Sequence, residues 1–499
     1  MTQLIRTRVA PSPTGYPHVG TAFQALLNWV YAHKHQGQFV LRIEDTDQKR
    51  AVEGAEQVIY QALSWLEIEP DESPKHLGDY GPYRQSERLK IYQQYAQQLI
   101  DQDQAYYCFC SPTRLAKMRK QQQQADQPPK YDRHCCGLSK TEVARRLKNG
   151  EKAVIRMKIP NDQQIIVNDL LRGKVEFDSN IVDDQVILKS DGFPTYHLAV
   201  VVDDHLMKIT HMLRGEEWLS SAPKHVLLYQ YFGWSVPVMI HSPTLRNPDK
   251  SKLSKRKGNT SLWWYRKQGY LKEALLNFLA LLVWKPHEDQ EVFTKEEMVK
   301  NFAWSQLNFK APVFDVAKLQ WLNGLYLRKK SLSALVKEVR AWAEWVVAQD
   351  DQAAAKQVLV WLNKQPSLFK KALGLAQQRL KLLKEIPELL GFYFAPELDY
   401  DQADLLQKHS VKEMIQALTI IKQRLAKLDP WTAESWEQTI RDYADELGWK
   451  HRDLFMALRS AVTAERFTPP LFAVMQVLGR TKSLQRLEQA SQFLQAVVS

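Results

Sequence analysis

Two short segments of this 499-residue chain carry residue types that phosphate chemistry needs. The first is Arg8-Val9-Ala10-Pro11-Ser12-Pro13-Thr14-Gly15, followed by Pro17-His18-Val19-Gly20-Thr21. It lies between an apolar run suited to a strand and a run with helical spacing, so it should open a helix amino terminus, whose unpaired N–H groups attract anions. Gly20 lets the backbone approach closely, and His18 can donate to a phosphate oxygen. Taken alone, these residues suit a Pro- and Gly-shaped surface loop equally well. The second segment is Lys250-Ser251-Lys252-Leu253-Ser254-Lys255-Arg256-Lys257, followed by Gly258. Its ammonium groups can neutralise charge growing on a pyrophosphate leaving group. A lone basic run, however, more often marks a solvated or RNA-contacting face.

A third cluster is sulfur-rich. Cys108-Phe109-Cys110 precedes Tyr131-Asp132-Arg133-His134-Cys135-Cys136, and these are all the cysteines in the chain. Two thiolates one residue apart with a distant pair can make a four-coordinate zinc site; the alternative is a set of small buried hydrophobes. So few cysteines in so long a chain make no disulfide framework, which leaves thiols that are reduced or metal-bound.

The elements that position these groups can be read from periodicity. Residues 4–10 read as a strand ending at Pro11, and residues 22–33 as a helix; residues 39–43 are a second strand and 52–66 a second helix, the alternation of a parallel α/β sheet. From about residue 106 to 189 the pattern changes to a Gln-rich polar stretch (Gln121 to Gln124), the cysteines and short strand-like runs such as 153–159, which has the look of an insertion. Residues 199–202 are β-type and 227–231 mix strand with helix, so the sheet is expected to resume there. In the last third, Leu335, Val336, Val339, Trp342, Ala343 and Val346 fall on one helical face. Helical stretches broken near Pro366, Pro396, Pro430 and Pro469 continue that reading to the end.

Composition sets the wider frame. A chain of this length should hold about three or four domains. Its 68 Lys plus Arg against 56 Asp plus Glu leave a formal charge of +12, which favours a polyanionic partner. Residues 1–9 have no secretory pattern, and no stretch approaches the ~20 apolar residues of a membrane span, so a cytoplasmic protein is expected.

The two loops together resemble the paired signatures of class I aminoacyl-tRNA synthetases: His18 to Thr21 near the start, and Lys252 to Arg256 more than 200 residues later. Between them, Arg42-Ile43-Glu44-Asp45-Thr46-Asp47, Gly81-Pro82-Tyr83-Arg84-Gln85-Ser86-Glu87-Arg88, Lys189 to His197, Val202-Asp203-Asp204-His205 and Arg214-Gly215-Glu216-Glu217-Trp218 resemble the bacterial-type glutamyl-tRNA synthetase family. The resemblance implies an α/β Rossmann-like catalytic domain (1–105 and 191–245) interrupted by an inserted α+β acceptor-binding domain with a zinc site (106–190). An all-α half would follow, with a stem-contact domain carrying the lysine loop (246–330) and a helical anticodon-binding domain (331–499).

It also implies residue roles. Arg8, Ala10, Ser12, Glu44, Tyr196 and Arg214 would frame glutamate; independently, a substrate with two carboxylates calls for guanidinium partners. His18, Gly20, Glu217, Lys252, Leu253, Ser254 and Lys255 would hold ATP with magnesium on its phosphates, Leu253 through its backbone, and His18, Lys252 and Lys255 would be catalytic. Cys108, Cys110, Tyr131 and Cys135 would bind zinc; some relatives use a His where this chain has Gly137, so Cys136 and His134 stand as alternative fourth ligands. The expected partner is tRNA-Glu, the expected state a monomer. Gln377, Gln378 and Arg379 lie where the family reads the third anticodon base. Competing readings are an enzyme that also charges tRNA-Gln and a catalytically dead tRNA-binding paralogue. Glutaminyl relatives share the signatures, but β-barrels for the anticodon are expected there rather than a helical carboxy-terminal half.

Overall fold

The computed structural model describes residues 4–47, 49–253, 260–287, 289–308, 312–350 and 352–498. The chain divides into two units, Met1–Trp264 with Leu275–Val316, and Tyr265–Ala274 with Ala317–Ser499.

Among the described residues, the first unit holds nine strands. Four make its parallel core: β1 (Arg6–Val9), β2 (Gln38–Leu41), β8 (His211–Gly215) and β9 (Val238–Ser242), with β3 (Ala105–Cys108), β4 (Val154–Met157), β5 (Gln164–Asp169), β6 (Gly173–Asp178) and β7 (Val186–Leu188) between them in sequence. β1 pairs with β2 in parallel, Arg8 opposite Val40, and β8 pairs with β9 in parallel, Arg214 opposite His241. β1 is joined to the head of β8 because the Arg6 N–H donates to Thr210 Oγ1 at 2.8 Å and the Thr210 N–H donates to the Arg6 carbonyl at 2.9 Å. Phe39, Val40 and Leu41 are fully buried, as strands covered on both faces must be. The helix Val19–Lys34 buries Phe23, Leu26, Leu27 and Val30. β3, β4 and β7 form a separate antiparallel sheet, while β5 pairs antiparallel with β6 and touches β9 at Asp169.

One expectation fails here. Residues 199–202 are not a strand; they lie inside the helix Tyr196–Leu206, and 227–231 lie in the helix Ala222–Tyr231. Leu198 to Asp204 are buried without a break, so the helix has no polar face at that point and shows no 3.6-residue rhythm. The three consecutive valines favour a strand locally, and packing on all sides overrides that preference. The sheet resumes instead at β8.

The second unit contains helices and, among the described residues, no strand. Leu335, Val339, Trp342, Ala343 and Val346 of the helix Leu332–Asp350 enter one continuous core, with Val336 at its margin. Helix ends follow their capping signals: Pro366 starts a helix at its first turn, and Ser410 with Glu413, and Thr432 with Ser435, close reciprocal capping boxes. Among the described residues, no helix is long and apolar enough to cross a membrane. The architecture is thus α/β with a helical carboxy-terminal half.

Candidate active site

β1 ends at Val9, two residues before Pro11, and the chain turns through the proline loop into the helix Val19–Lys34, whose N-cap is His18. The His18 ring folds back so that Nδ1 accepts the Gly20 N–H at 2.9 Å. A neutral ring in that arrangement carries its proton on Nε2, away from the helix. A Cβ on residue 20 would meet His18 Nδ1 at 3.1 Å, so glycine makes room for the ring.

The two signature loops are stitched at their roots. The Val19 N–H donates to the Thr260 carbonyl at 2.8 Å, the Leu262 N–H to the Pro17 carbonyl at 3.0 Å, and His18 forms a bridge to Ser261. On the entry side, the Leu253 N–H donates to the Leu245 carbonyl at 3.0 Å, and Asn247 Nδ2 donates to the Lys252 carbonyl at 3.2 Å. The expected backbone contact from Leu253 to a nucleotide base therefore cannot use its N–H in this arrangement. Ser254 and Lys255 lie outside the described residues.

His18, Gly20, Gln24, Glu217, Lys252 and Leu253 line one cleft of ≈ 300 Å³. Glu217 lies over Gly215, where any side chain would collide with its carboxylate. A second cavity of ≈ 640 Å³ is lined by Ser12, Glu44, Lys189 and Tyr196 among others. Trp218 borders both cavities, its ring 4.2 Å from that of Tyr196.

Around the second cavity the charges are dense and mostly paired. Arg8 is buried, its Nε and Nη2 each 3.1 Å from Asp204 and its Nη1 3.0 Å from the Leu213 carbonyl. Much of the fork expected to hold substrate is thus engaged by a structural carboxylate. Arg42 contacts Glu44 at 3.0 Å and Asp204 at 2.7 Å, and Arg88 contacts Asp203 at 2.7 Å. Burial pushes the Asp204 carboxyl up, but Arg8 and Arg42 pull harder and hold it below the usual carboxylate range. Burial lifts the Glu44 carboxyl above its ordinary value, against the pull of Arg42 and Arg8. Arg214 differs: it donates to the Tyr196 hydroxyl at 3.2 Å and to two histidines, and no carboxylate among the described residues is ion-paired with it. Burial raises the Tyr196 phenol, which also feels Arg214, Glu44 and Arg8. Ala10 is half-buried where β1 ends and Ser12 is exposed at the cavity wall.

The cysteine cluster is set on β3 and the turn after Tyr131. The sulfurs of Cys108, Cys110 and Cys135 all lie within 4.8 Å of one another, spacing that a tetrahedral ion with ~2.3 Å bonds to sulfur accommodates. The Tyr131 hydroxyl sits 3.3 Å from Cys108 Sγ and 3.2 Å from Cys110 Sγ. Cys136 and His134 do not belong to that tight group. The donor set fits zinc, with Tyr131 the oxygen in reach of it.

Residues 4–321 match the family model described as tRNA synthetases class I (E and Q), catalytic domain, and residues 334–491 match an anticodon binding domain. The chain is 47% identical over 490 residues to a glutamate–tRNA ligase of Acidothermus cellulolyticus, spanning 98% of this chain and 95% of that one. The chain belongs to the glutamate–tRNA ligase family. A second family member, from Gloeobacter violaceus, is 46% identical over 504 residues, spanning 97% of this chain and 95% of its own. A crystal structure of the glutamate tRNA ligase from Elizabethkingia meningosepticum in complex with its amino acid superposes with a TM-score of 0.86 at 34% identity, covering 99% and 100% of the two chains.

The motif segments assign no role to Trp218, although it closes the Arg214 to Trp218 segment, nor to Lys189 on the cavity wall. Asp169, His225 and His241 lie in none of those segments; the β8–β9 register is what sets His241 beside Arg214.

Proposed function

We propose that the chain is an ATP-dependent glutamate–tRNA ligase that converts glutamate and ATP to glutamyl-adenylate and pyrophosphate, then transfers the glutamyl group to the 3′ end of tRNA-Glu. The observation that carries this reading is the shared cleft of His18 and Lys252, separated by one ring, Trp218, from a cavity lined by Glu44 and Tyr196. In the first step a glutamate α-carboxylate oxygen attacks the α-phosphorus in line, and the bond to the pyrophosphate oxygen breaks. No protein nucleophile is needed, so the protein's work is positioning and charge stabilisation. His18 Nε2–H and the Lys252 ammonium meet the phosphates, with Ser254 and Lys255 completing the loop, and magnesium accompanies the nucleotide. Glu44 complements the substrate ammonium; Arg214 and the free edge of Arg8 take carboxylates, with Ala10, Ser12 and Tyr196 completing the enclosure. Gly20, Glu217 and Leu253 shape the ATP side.

The finer domain roles belong to the same reading. Residues 106–190 bind the tRNA acceptor end and hold structural zinc through Cys108, Cys110, Tyr131 and Cys135; residues 246–330 contact the tRNA stem; residues 331–499 read the anticodon. The protein acts in the cytoplasm as a monomer. Glutamate-dependent exchange of pyrophosphate into ATP, measured with and without tRNA, tests the assignment. Exchange driven by glutamate in the presence of tRNA is expected. Exchange with glutamine alone defeats the substrate, and no exchange with either amino acid in the presence of cognate tRNA points to the dead paralogue. Aminoacylation of purified tRNA-Glu and tRNA-Gln then decides whether one or both are charged.

A further inference from the structure

A guanidinium has five N–H donors and no acceptor. In Arg214 three of them are committed: Nε–H to His241 Nε2 at 2.9 Å, and Nη1 to His225 Nδ1 at 2.8 Å and to the Tyr196 hydroxyl at 3.2 Å. Both imidazoles must therefore present a lone pair to Arg214, which fixes where their own protons sit. His241 carries its proton on Nδ1, 2.6 Å from Asp169 Oδ2; His225 carries its proton on Nε2, 3.1 Å from His197 Nδ1, which in turn must accept. Asp169 is itself pinned by the N–H groups of Leu171, Arg172 and His241. His225 and His241 are fully inaccessible, and Arg214 and Asp169 nearly so.

What remains of Arg214 is Nη2, which is buried and has no hydrogen-bond partner. Arg8, Arg42 and Arg88 have carboxylates in direct contact, whereas the charge of Asp169 reaches Arg214 only through the ring of His241. A carboxylate in the place of either imidazole would orient the guanidinium equally well but would also neutralise it. Neutral imidazoles orient it and leave its charge to be spent elsewhere.

We infer that His241 and His225, backed by Asp169 and His197, are positioning residues that hold Arg214 so that its charge and its Nη2 donors are reserved for a carboxylate of the amino-acid substrate. The inference rests on the reading above that Arg214 binds glutamate. It deepens that reading by naming what discriminates glutamate from glutamine: donors held in place by partners that do not quench them favour an anionic carboxylate over a neutral amide. Burial and Arg214 keep His225 neutral, burial with Lys224 and Arg214 holds His197 down at about 3, and burial outweighs the opposing pull of Asp169 at His241.

The test uses the full-length protein with tRNA present and reads KM for glutamate and for ATP by pyrophosphate exchange. His241→Gln keeps an acceptor oxygen near the position of Nε2, and His241→Leu fills similar space without one. His241→Leu is expected to raise KM for glutamate at least about tenfold and to narrow the preference over glutamine, with KM for ATP within about twofold, since small misplacements of a positioned group are costly. His241→Gln should recover most of that loss. His225→Asn against His225→Leu repeats the comparison at the other ring, so the inference stays open to test if one leucine variant fails to fold. Equal KM values for glutamate across the leucine and amide variants, or KM for ATP rising in parallel, overturn the inference. Arg214→Ala separates the two claims. If it leaves KM for glutamate unchanged, the assignment of Arg214 itself is wrong; if it raises KM while both leucine variants behave as wild type, only the positioning role fails.

Discussion

Two buried arginines, one in each unit, show what the two halves of this chain are built to do. Arg486, in the helical unit, donates Nη1 to the Val462 carbonyl at 2.6 Å and Nη2 to the carbonyls of Phe392 and Ala395. Those carbonyls close the helices His451–Thr463 and Ile386–Phe394, where unpaired oxygens and the negative end of the helix dipole gather. The charge is consumed in ending helices, and burial brings the group's pKa down to about 10. Arg214 is nearly as buried and also rests on neutral acceptors, but its Nη2, with two N–H groups, is buried without a hydrogen-bond partner. On the proposed reading, the same residue type is scaffold in one unit and recognition element in the other, and what differs is whether its partners satisfy all of its donors.

The comparison predicts opposite phenotypes. Arg214→Ala is expected to reduce kcat/KM for glutamate by a factor of about 100 or more, roughly 3 kcal/mol, because a desolvated charged contact is lost. Its urea midpoint should fall less than that of Arg486→Met, because removing an unquenched buried charge offsets the lost hydrogen bonds to His225, His241 and Tyr196; an equal fall would make Arg214 a second Arg486. Arg486→Met should do the reverse, costing about 2–4 kcal/mol in urea unfolding through stranded buried carbonyls, with KM for glutamate unchanged. On the proposed reading, the cysteine cluster falls on the scaffold side of the divide. Cys108→Ser should abolish zinc measured by elemental mass spectrometry and lower the thermal midpoint by several degrees, about 2 kcal/mol, without altering KM for glutamate. Equal and negligible zinc in both proteins removes the metal from the account.

Acid should act through buried imidazoles. Burial holds His197 at about 3 and His211 at about 4, below the ordinary value of 6.5. As pH falls below 6.5, the unfolded chain binds protons that the folded chain refuses. Stability that is complete above 6.5 then declines by up to about 1.4 kcal/mol per pH unit for each such ring until its folded value is reached. Urea midpoints at pH 7.5 and 5.5 should differ accordingly, and His197→Gln should flatten the slope; an unchanged slope would mean that this ring takes up a proton in the folded state. The smallest expected effect is at Gly20→Ala, where a new Cβ presses on His18 Nδ1 at 3.1 Å. A few tenths of an ångström of ring movement should weaken the N-cap bond by about 1 kcal/mol and raise KM for ATP several-fold, with KM for glutamate unaffected.

Much of the proposed site was legible because its signals are local. The stretches Arg8 to Thr21 and Lys250 to Lys257 are runs in which residue type and order carry the chemistry, and Cys108, Cys110 and Cys135 sit at spacings that metal chemistry explains. The helical face from Leu335 to Val346 was legible for a similar reason, since one buried side and one wet side impose a period. Where burial is complete the period vanishes, which is why residues 199–202 read as a strand and folded as a helix. Arg8 shows another limit: its type suggested a substrate contact, but nothing local indicated that Asp204, 196 residues away, would occupy so much of its fork.

By itself, the sequence determined the donors and acceptors available for ATP and a dicarboxylate, and the alternation of elements that carries them, because these depend on side-chain chemistry and short-range periodicity. Only the tertiary structure decided which groups would meet. The parallel register of β8 and β9 set His241 beside Arg214, and hydrogen bonds from Val19 to Thr260 and from Leu262 to Pro17 brought two loops more than 200 residues apart to one cleft. Register and loop closure are set by packing across the whole unit, and no window of neighbouring residues contains that information.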